Sequence, residues 1–333
     1  MFKRSKKSSS TSADEFNPFA APQKKTNKFV VWVKGHKKLA IILGIVAVLL
    51  IGGGVAATIY ALNQPTEAPA KVAKPKPAPK PEPVKYYSPL TGAQVETEAI
   101  TKQAVTGIMI ENSPDARPQS GLKDSGVVFE AIAEGGITRF LALYQEQKPQ
   151  LIGPVRSVRM YYVDWVAAFN ASVAHIGGSA SALAEVRNGN YRDIDQFFNA
   201  QAYWRATDRY APHNVYTSFA KLDELNNAKG YTSSEFTGFT RKDSTASETP
   251  NATSINVNIS SALFNSHYAY NAATNTYDRS QAGAPHLDRE AGQISPRVVI
   301  ALKVTEQKVF EDGWREQINA VGNGTAYIFQ DGT

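Results

Sequence analysis

GVVFEAIAEGGITRFLALY, residues 126–144, contains two short apolar runs that are bounded by turn-forming residues. Their length and composition predict two β-strands, Gly126–Ala133 and Thr138–Tyr144. Downstream, the apolar residues of Val158–Phe169 recur at helical spacing and predict an amphipathic helix, and Ser172–Ile176 predicts another strand. Strands that alternate with helices predict an α/β or α+β layered fold.

The same patterns continue on both sides of this stretch. Val105–Ile110 predicts an earlier strand, and Ser179–Arg187 predicts a second helix. Phe219–Lys229 predicts a third helix, with Ser218 as its N-cap and Gly230 as its C-terminal stop. We therefore predict a main α/β or α+β domain at residues 86–232.

The C-terminal part has a different composition. Residues 233–254 are mostly polar and predict a connection between two domains. The remaining residues, 255–333, predict a small β-rich domain, because apolar runs alternate with turn signals. The last residues lie in turn chemistry just after a predicted strand, so we expect the C-terminal domain to be truncated. The predicted strands are Ile255–Ile259, Ser266–Asn271, Val298–Val304 and Thr325–Phe329.

One N-terminal segment predicts a membrane anchor. Leu39–Leu62 has 24 residues without a charge, which gives about 36 Å of helix, enough to cross a bilayer. Six lysines lie in the 15 residues before it and none in the eight residues after it, so we expect a cytoplasmic N-terminus and extracytoplasmic C-terminal domains. A cleaved signal peptide is the alternative, but the apolar run and the 38 residues before it are long for one. Residues 1–38 predict a disordered basic tail, and residues 63–85 a Pro/Ala/Lys-rich linker.

Charge and cysteine content exclude several classes of protein. The chain has no cysteine, which excludes disulfides, thiolate metal sites and a cysteine-linked lipid. Residues 86–333 carry 21 Lys/Arg against 26 Asp/Glu, a net charge of −5. The basic pI therefore comes from the segments around the anchor, and we predict no nucleic-acid partner.

Four segments are rich in polar residues that folding alone does not require: NSPDARPQSGL (112–122), EGGITRFLALYQ (134–145), IGPVRSVR (152–159) and APHN (211–214). In this order they closely resemble the YerB-like lipoprotein family of bacteria, a family of unknown function with N- and C-terminal modules. The resemblance covers residues 86–330 and implies an extracytoplasmic envelope protein, but it supplies no activity. Many members are anchored through a lipid-modified cysteine, which this chain replaces with a predicted helix. Members also continue past residue 333.

The arginines of these segments predict an anion site. Arg156 and Arg159 follow Gly153-Pro154 and are expected one helical turn apart at a helix N-terminus, where Arg139 could join them. His213 lies in a loop and is either a general base or ligand contact, or a residue that pins the loop. The alternative for the arginines is a buried Arg–Glu network. The predicted anion-binding residues are Arg117, Arg139, Arg156, Arg159 and His213.

Two glutamates extend this prediction. Glu130 and Glu134 are expected to share one face of their strand, where they would either hold Mg²⁺ or pair with the arginines. An acidic strand, a Thr-Arg strand and a Pro-x-Arg-x-x-Arg turn behind a single anchor are similar in outline to the LytR-CpsA-Psr cell-wall polymer transferases, although the spacing differs from theirs.

Two functions remain open at this point. The first is a membrane-anchored binding module that contacts a cell-wall polymer or an envelope protein, without a cofactor. The second is an enzyme that acts on phosphate-linked wall precursors with the arginines and Mg²⁺. No complete catalytic motif is present in the sequence, so binding is the preferred prediction.

Overall fold

The structure, a computed structural model, describes residues 28–63, 83–309 and 315–333, in two separate units. The first unit contains helices α1 (Lys28–Gly35) and α2 (Lys37–Leu62). By length and composition α2 is able to cross a membrane, and it includes the whole predicted anchor. The predicted tail up to residue 27 and the linker from residue 64 to residue 82 lie outside the described residues.

The second unit, residues 83–333 without 310–314, contains the remaining elements. Its helices are α3 (Glu98–Thr101), α4 (Met160–Ala167), α5 (Ala180–Asn188) and α6 (Phe219–Ala228). Its strands up to residue 217 are β1 (Tyr86–Tyr87), β2 (Gln94–Val95), β3 (Thr106–Glu111), β4 (Val127–Glu134), β5 (Ile137–Tyr144), β6 (Ser172–His175), β7 (Arg192–Asp195), β8 (Tyr203–Arg205) and β9 (Val215–Thr217). The later strands are β10 (Ser254–Val257), β11 (Ser266–Asn271), β12 (Thr276–Gln281), β13 (Ala284–Pro285), β14 (Leu287–Asp288), β15 (Gly292–Gln293), β16 (Val298–Leu302), β17 (Thr305–Val309), β18 (Arg315–Asn319) and β19 (Ala326–Gln330).

A mixed sheet in the order β17-β18-β4-β5-β3-β6-β7 forms the centre of this unit. β3, β6 and β7 are parallel, whereas the other neighbours are antiparallel. Gly135 and Gly136 connect β4 to β5, and both have positive φ, 55° and 77°. Two-residue hairpin turns of this type need positive φ at both positions, which glycine adopts without strain. Glycine at these two positions therefore permits the tight β4–β5 hairpin.

Each face of the sheet is covered by helices, which gives two hydrophobic cores. α4 and α5 pack on the face that carries Met109 and Leu141, and Ile318 of β18 joins the same core. α6 packs on the opposite face, against Ile108 and Ala142. Successive residues of β3 and β5 therefore alternate between two buried faces, so these strands have almost no exposed side.

Residues 254–285 form a separate antiparallel sheet, β10-β11-β12-β13, which shares a small core around Tyr277 with the β16-β19 pair. Arg279 of β12 links it to the central sheet, because its guanidinium donates to Glu130 of β4 at 2.8 Å. His286 accepts a hydrogen bond from Arg279 and is 2.9 Å from the side-chain oxygen of Gln119. Its ring stacks on Phe140 at 5.9 Å. A buried polar cluster therefore joins the two sheets.

The predicted mixed α/β main region, β-rich C-terminal region and single apolar N-terminal helix are confirmed. One prediction about the backbone is wrong: the helix begins at Met160, not at Val158. Residues before it are extended, because Val158 donates to the carbonyl of Gly177 and Val155 pairs with Ile110. Residues 233–253 are largely irregular, and Ser234 among them is buried and hydrogen-bonds to Val105 and Asn170.

The buried Arg279–Glu130 pair predicts a stability effect. Glu130→Ala leaves a guanidinium that is 5% exposed without its carboxylate, so we expect the free energy of unfolding to fall by about 3–5 kcal/mol. Urea unfolding of the full chain, followed by circular dichroism, measures this change. Glu98→Ala is the control, because Glu98 pairs with Lys102 at the surface and should leave the midpoint unchanged. Equal midpoints for both variants would contradict a structural role for the buried pair.

His286 predicts a dependence of stability on pH. Burial, and then the charges of Arg279 and Arg117, lower the pKa of His286 from 6.5 to about 2. The unfolded chain therefore binds the proton first, so the contribution of His286 is complete above pH 6.5 and decreases as the pH falls towards 2. Between pH 6 and 5 we expect a loss of about 1.4 kcal/mol per pH unit relative to His286→Gln. Urea unfolding at each pH measures the free energy of unfolding of both proteins. If the two values change by the same amount between pH 6 and pH 5, the effect of His286 is excluded.

Candidate functional site

Two buried arginines share one glutamate at the end of the β4–β5 hairpin. Arg139 of β5 donates to Glu134 at 2.6 Å and to the carbonyl of Ser157 at 2.8 Å. Arg159, directly before α4, donates to the other oxygen of Glu134 and to the carbonyl of Val158. The side chains of Arg139 and Arg159 are 1% and 5% exposed. Their terminal amino groups are thus held by protein oxygens and bind the hairpin to the start of α4.

The charges in this cluster are consistent with a permanent ion network. Burial raises the pKa of Glu134, but the charges and hydrogen bonds of Arg139 and Arg159 outweigh it and hold the pKa below its ordinary value. Burial and the neighbouring Arg139 lower the pKa of Arg159 to about 10. At neutral pH Glu134 and Arg159 are therefore both charged. The sequence left arginine pairing and metal binding open for Glu134, and in this structure Glu134 contacts arginines.

The prediction that Glu130 and Glu134 share one face is wrong. The register of β4 against β5 shifts between Ile132 and Glu134, which is a β-bulge with Ala133 as the extra residue. A bulge of one residue moves every following side chain to the other face of the sheet. Glu130 therefore contacts Arg279 on one face, whereas Glu134 contacts Arg139 on the other. The two carboxylates do not form the joint Mg²⁺ site that was predicted as an alternative.

Asn112 is the centre of the hydrogen bonds made by the NSPDARPQSGL segment. Its amide donates to Glu130 and Thr138, and its side-chain oxygen accepts from Arg117 and Gln119. Arg117 also donates to the carbonyl oxygens of Asn112 and Leu263. Arg117 therefore connects the loop after β3 to the C-terminal sheet, and it lies apart from Arg139 and Arg159.

Arg156 lies where the carboxyl ends of β3 and β6 meet. Its backbone N–H donates to Met109 of β3 at 2.9 Å, and its carbonyl accepts from Ile176 at 3.1 Å. Because this segment is extended, Arg156 and Arg159 are not one helical turn apart, and the prediction of a shared helix N-terminus is wrong. The Nε atom of Arg156 lies 3.4 Å from Oε1 of Glu111, an ion pair without hydrogen-bond geometry. Ligands of open α/β sheets bind outside the carboxyl ends of strands, which makes this location notable.

Glu111, the last residue of β3, collects two further polar groups. Ser113 donates to one oxygen of Glu111 at 3.1 Å, and Nδ1 of His213 lies 3.0 Å from the other. Nδ1 is also the ring atom nearest to Ser113, at 3.2 Å. In a Ser-His-acid triad the serine and the carboxylate contact opposite ring nitrogens. The described geometry therefore positions Glu111 and His213 but does not activate Ser113 as a nucleophile.

Hydrogen bonds of the adjacent residue, Asn214, fix the conformation of the loop that carries His213. The Asn214 amide donates to the carbonyls of Ala206 and Arg209, and its oxygen accepts from Arg205. Arg209 then donates to the carbonyl oxygens of Asp115 and Pro118, which fastens the loop to the segment after β3. The APHN motif thus holds His213 beside Glu111.

The turn after β7 holds two exposed phenylalanines that sequence reasoning missed. The buried carboxylate of Asp195 accepts from the N–H groups of Gly177 and Phe197, and the Asp195 carbonyl accepts from Phe198. Phe197 and Phe198 are nevertheless 66% and 69% exposed. Phe197 packs against Gly177, where an added Cβ would lie 3.2 Å from its ring. Exposed aromatic residues on a loop give no periodic signal, so the sequence pattern did not indicate them.

These residues define one surface, which we call the strand-end surface. The five predicted anion-binding residues do not converge on it as a group: Arg156 and His213 lie there, Arg139 and Arg159 are turned to Glu134, and Arg117 contacts the C-terminal sheet. In the part of the chain that the structure describes, no group of three or more His, Asp or Glu residues is arranged to hold a metal ion. The surface comprises Glu111, Ser113, Arg156, Phe197, Phe198, Tyr210 and His213.

Asn214→Ala tests the closure of the His213 loop. The substitution removes three hydrogen bonds, so we expect faster tryptic cleavage after Arg209, measured by limited proteolysis and mass spectrometry. Asn227→Ala is the control, because Asn227 is exposed at the end of α6. Identical cleavage rates in both variants would show that Asn214 does not close the loop.

Comparison with known proteins identifies the family. Residues 90–232 match the N-terminal domain, and residues 255–333 the C-terminal domain, of a protein family of unknown function, DUF3048. "Putative lipoprotein YerB" of Bacillus subtilis (strain 168) is 33% identical over 254 residues, 74% of this chain and 76% of YerB. The crystal structure of the YerB protein from Bacillus subtilis matches with a TM-score of 0.65 and 31% identity, over 75% of this chain and 85% of that chain. The resemblance predicted from the four segments is confirmed, and the chain belongs to the YerB-like family.

Proposed function

We propose that this chain is a membrane-anchored protein of the bacterial cell envelope that binds a cell-wall polymer through the strand-end surface. Helix α2 serves as the anchor, with the N-terminus in the cytoplasm and the folded unit outside the membrane. The lysines on its N-terminal side and the name of the YerB relative, a lipoprotein, support this orientation. The anchor replaces a cysteine-linked lipid, because the chain has no cysteine.

The observation that carries the proposal is the set of exposed aromatic rings on the turn after β7 and on the loop that carries His213. Phe197, Phe198 and Tyr210 are 66%, 69% and 92% exposed, although their loops are held by the buried contacts of Asp195 and Asn214. Large apolar side chains on a fixed backbone are unfavourable in water and indicate a binding surface. They lose little conformational freedom when a partner covers them.

The chemistry of this surface favours a polysaccharide. A sugar ring presents apolar C–H groups that pack on an aromatic face, and hydroxyl groups that need polar partners close by. Phe197 supplies one face, and Phe198 supplies the face opposite the guanidinium of Arg187, which lies 5.0 Å from its ring centroid. Arg156 and His213 supply polar groups that are 26% and 23% exposed. A protein partner needs a larger continuous interface, about 800 Å² on each side, and is the second outcome that the experiment below separates.

The enzyme alternative has less support from the geometry. It requires Arg139, Arg156 and Arg159 to converge on one phosphate, and Glu130 and Glu134 to converge on one metal ion. Neither set converges here, since each carboxylate lies on its own face and two of the arginines share Glu134. We therefore propose binding and not phosphoryl transfer.

Co-sedimentation of the purified full chain, in detergent micelles, with isolated bacterial walls tests the proposal. We expect the wild-type chain to bind, and a variant with both Phe197→Ala and Phe198→Ala to bind at least about tenfold more weakly, because two packed rings are lost. Tyr327→Ala is the matched control, because Tyr327 is also exposed, 57%, but lies on β19 of the C-terminal region.

Three results would contradict this function. Absence of wild-type binding to walls would exclude a wall polymer as the partner. Equal binding by the double variant would exclude the strand-end surface. Loss of binding after walls are treated with protease, but not with glycan-degrading enzymes, would identify a protein partner instead.

A further inference from the structure

Arg156 differs from every other arginine of the four motif segments. Its side chain is 26% exposed, and its guanidinium donates no hydrogen bond to any residue in the described ranges. The nearest carboxylate, Glu111, lies 3.4 Å from the Nε atom, outside hydrogen-bond geometry, and the two terminal amino groups have no protein partner among those residues. Arg156 is thus a largely buried cation with a free planar fork.

The neighbouring arginines show the contrast. Arg139 and Arg159 each donate to a backbone carbonyl and to Glu134. Arg117 donates to Asn112 and Leu263. Each of these guanidinium groups donates at least two hydrogen bonds to protein oxygens, so their roles are structural. The same account does not apply to Arg156.

Charge balance at the strand ends supports a ligand for Arg156. Glu111 and Arg139 are register partners on β3 and β5, so the charged groups of the two strand ends lie together. Three guanidinium groups, of Arg139, Arg156 and Arg159, face two carboxylates, Glu111 and Glu134. One positive charge is therefore in excess in a region of low solvent exposure. Asp115, which lies 3.9 Å from His213, is 81% exposed, so solvent screens its charge.

We propose that Arg156 binds an oxyanion group of the wall polymer, with its two terminal amino groups donating in parallel. This inference rests on the proposed function and adds the chemical class of the ligand: a polymer that carries phosphate or carboxylate groups. A planar guanidinium fits either group through two hydrogen bonds. Phe197 and Phe198, on the adjoining turn, then contact the sugar beside the anionic group.

The two sources of an oxyanion are distinguished by the choice of wall sample. Isolated walls contain phosphodiester polymers and carboxylate-bearing peptides and sugars, and hydrofluoric acid removes the phosphodiester polymers. Binding of the full chain is titrated on intact and on acid-stripped walls at one ionic strength, because exposed charges respond to salt. The variants are Arg156→Gln, Arg156→Lys and, as a control with the same change in charge, Arg297→Gln on an exposed residue of the C-terminal region.

We expect Arg156→Gln to weaken binding to intact walls by about ten- to a hundredfold, as for loss of hydrogen bonds to a charged group. The affinity of Arg156→Lys should lie between those of the wild type and Arg156→Gln, because lysine keeps the charge but lacks the planar pair of donors. Arg297→Gln should bind like the wild type. If the effect of Arg156→Gln disappears on stripped walls, the oxyanion is a phosphate. If it persists, the oxyanion is a carboxylate.

A second measurement uses the wild-type protein alone, so that folding of a variant does not matter. At constant ionic strength, phosphate or acetate should compete with the walls more strongly than chloride. Equal competition by all three salts, or equal binding by Arg156→Gln and Arg297→Gln, would overturn the oxyanion site and leave the proposed function intact. Failure of the wild-type chain to bind any wall sample would instead reject the proposed function, and this inference with it.

Discussion

A buried guanidinium group has to be paired, and this requirement governs how the folded unit is assembled. Arg139, Arg159 and Arg279 are each no more than 5% exposed on their side chains. Removing such a charge from water costs several kcal/mol, which only close carboxylates and carbonyls can offset. Glu134 therefore fixes the β4–β5 hairpin against the start of α4, and Glu130 fixes the C-terminal sheet against the central one. The ion pairs determine the relative positions of elements that apolar packing alone would leave free to shift.

Local patterns predicted the elements whose buried residues are apolar. Thr138–Tyr144 corresponds to β5, a short apolar run that is buried on both faces, and Phe219–Lys229 corresponds to α6, which buries an apolar face at helical period. The same reasoning missed β12, since its buried residues are Tyr277, Arg279 and Gln281. These side chains are tolerated inside only because residues far along the chain, such as Glu130, accept their hydrogen bonds. A single sequence does not reveal that distant partner.

The candidate site was predictable in its composition but not in its geometry. The motif residues were recognised as polar groups beyond the needs of folding, and Arg156 and His213 do lie together. The bulge at Ala133 and the extended segment before Met160 separated the others. Both depend on tertiary contacts, namely the shifted register of β4 and the insertion of residues 155–158 between the ends of β3 and β6. A change of one residue in register is enough to exchange a metal-binding carboxylate pair for two structural ion pairs.

The contact between Glu130 and Arg279 also has a consequence for the order in which the protein is built. A ribosome releases β4 long before β12, so Glu130 stays hydrated and without its arginine while the first sheet forms. Ile318, which completes the core under α4, arrives later still. The first module therefore cannot complete its core or neutralise Glu130 until residues 279–318 have been made, so the two modules depend on each other for their native contacts.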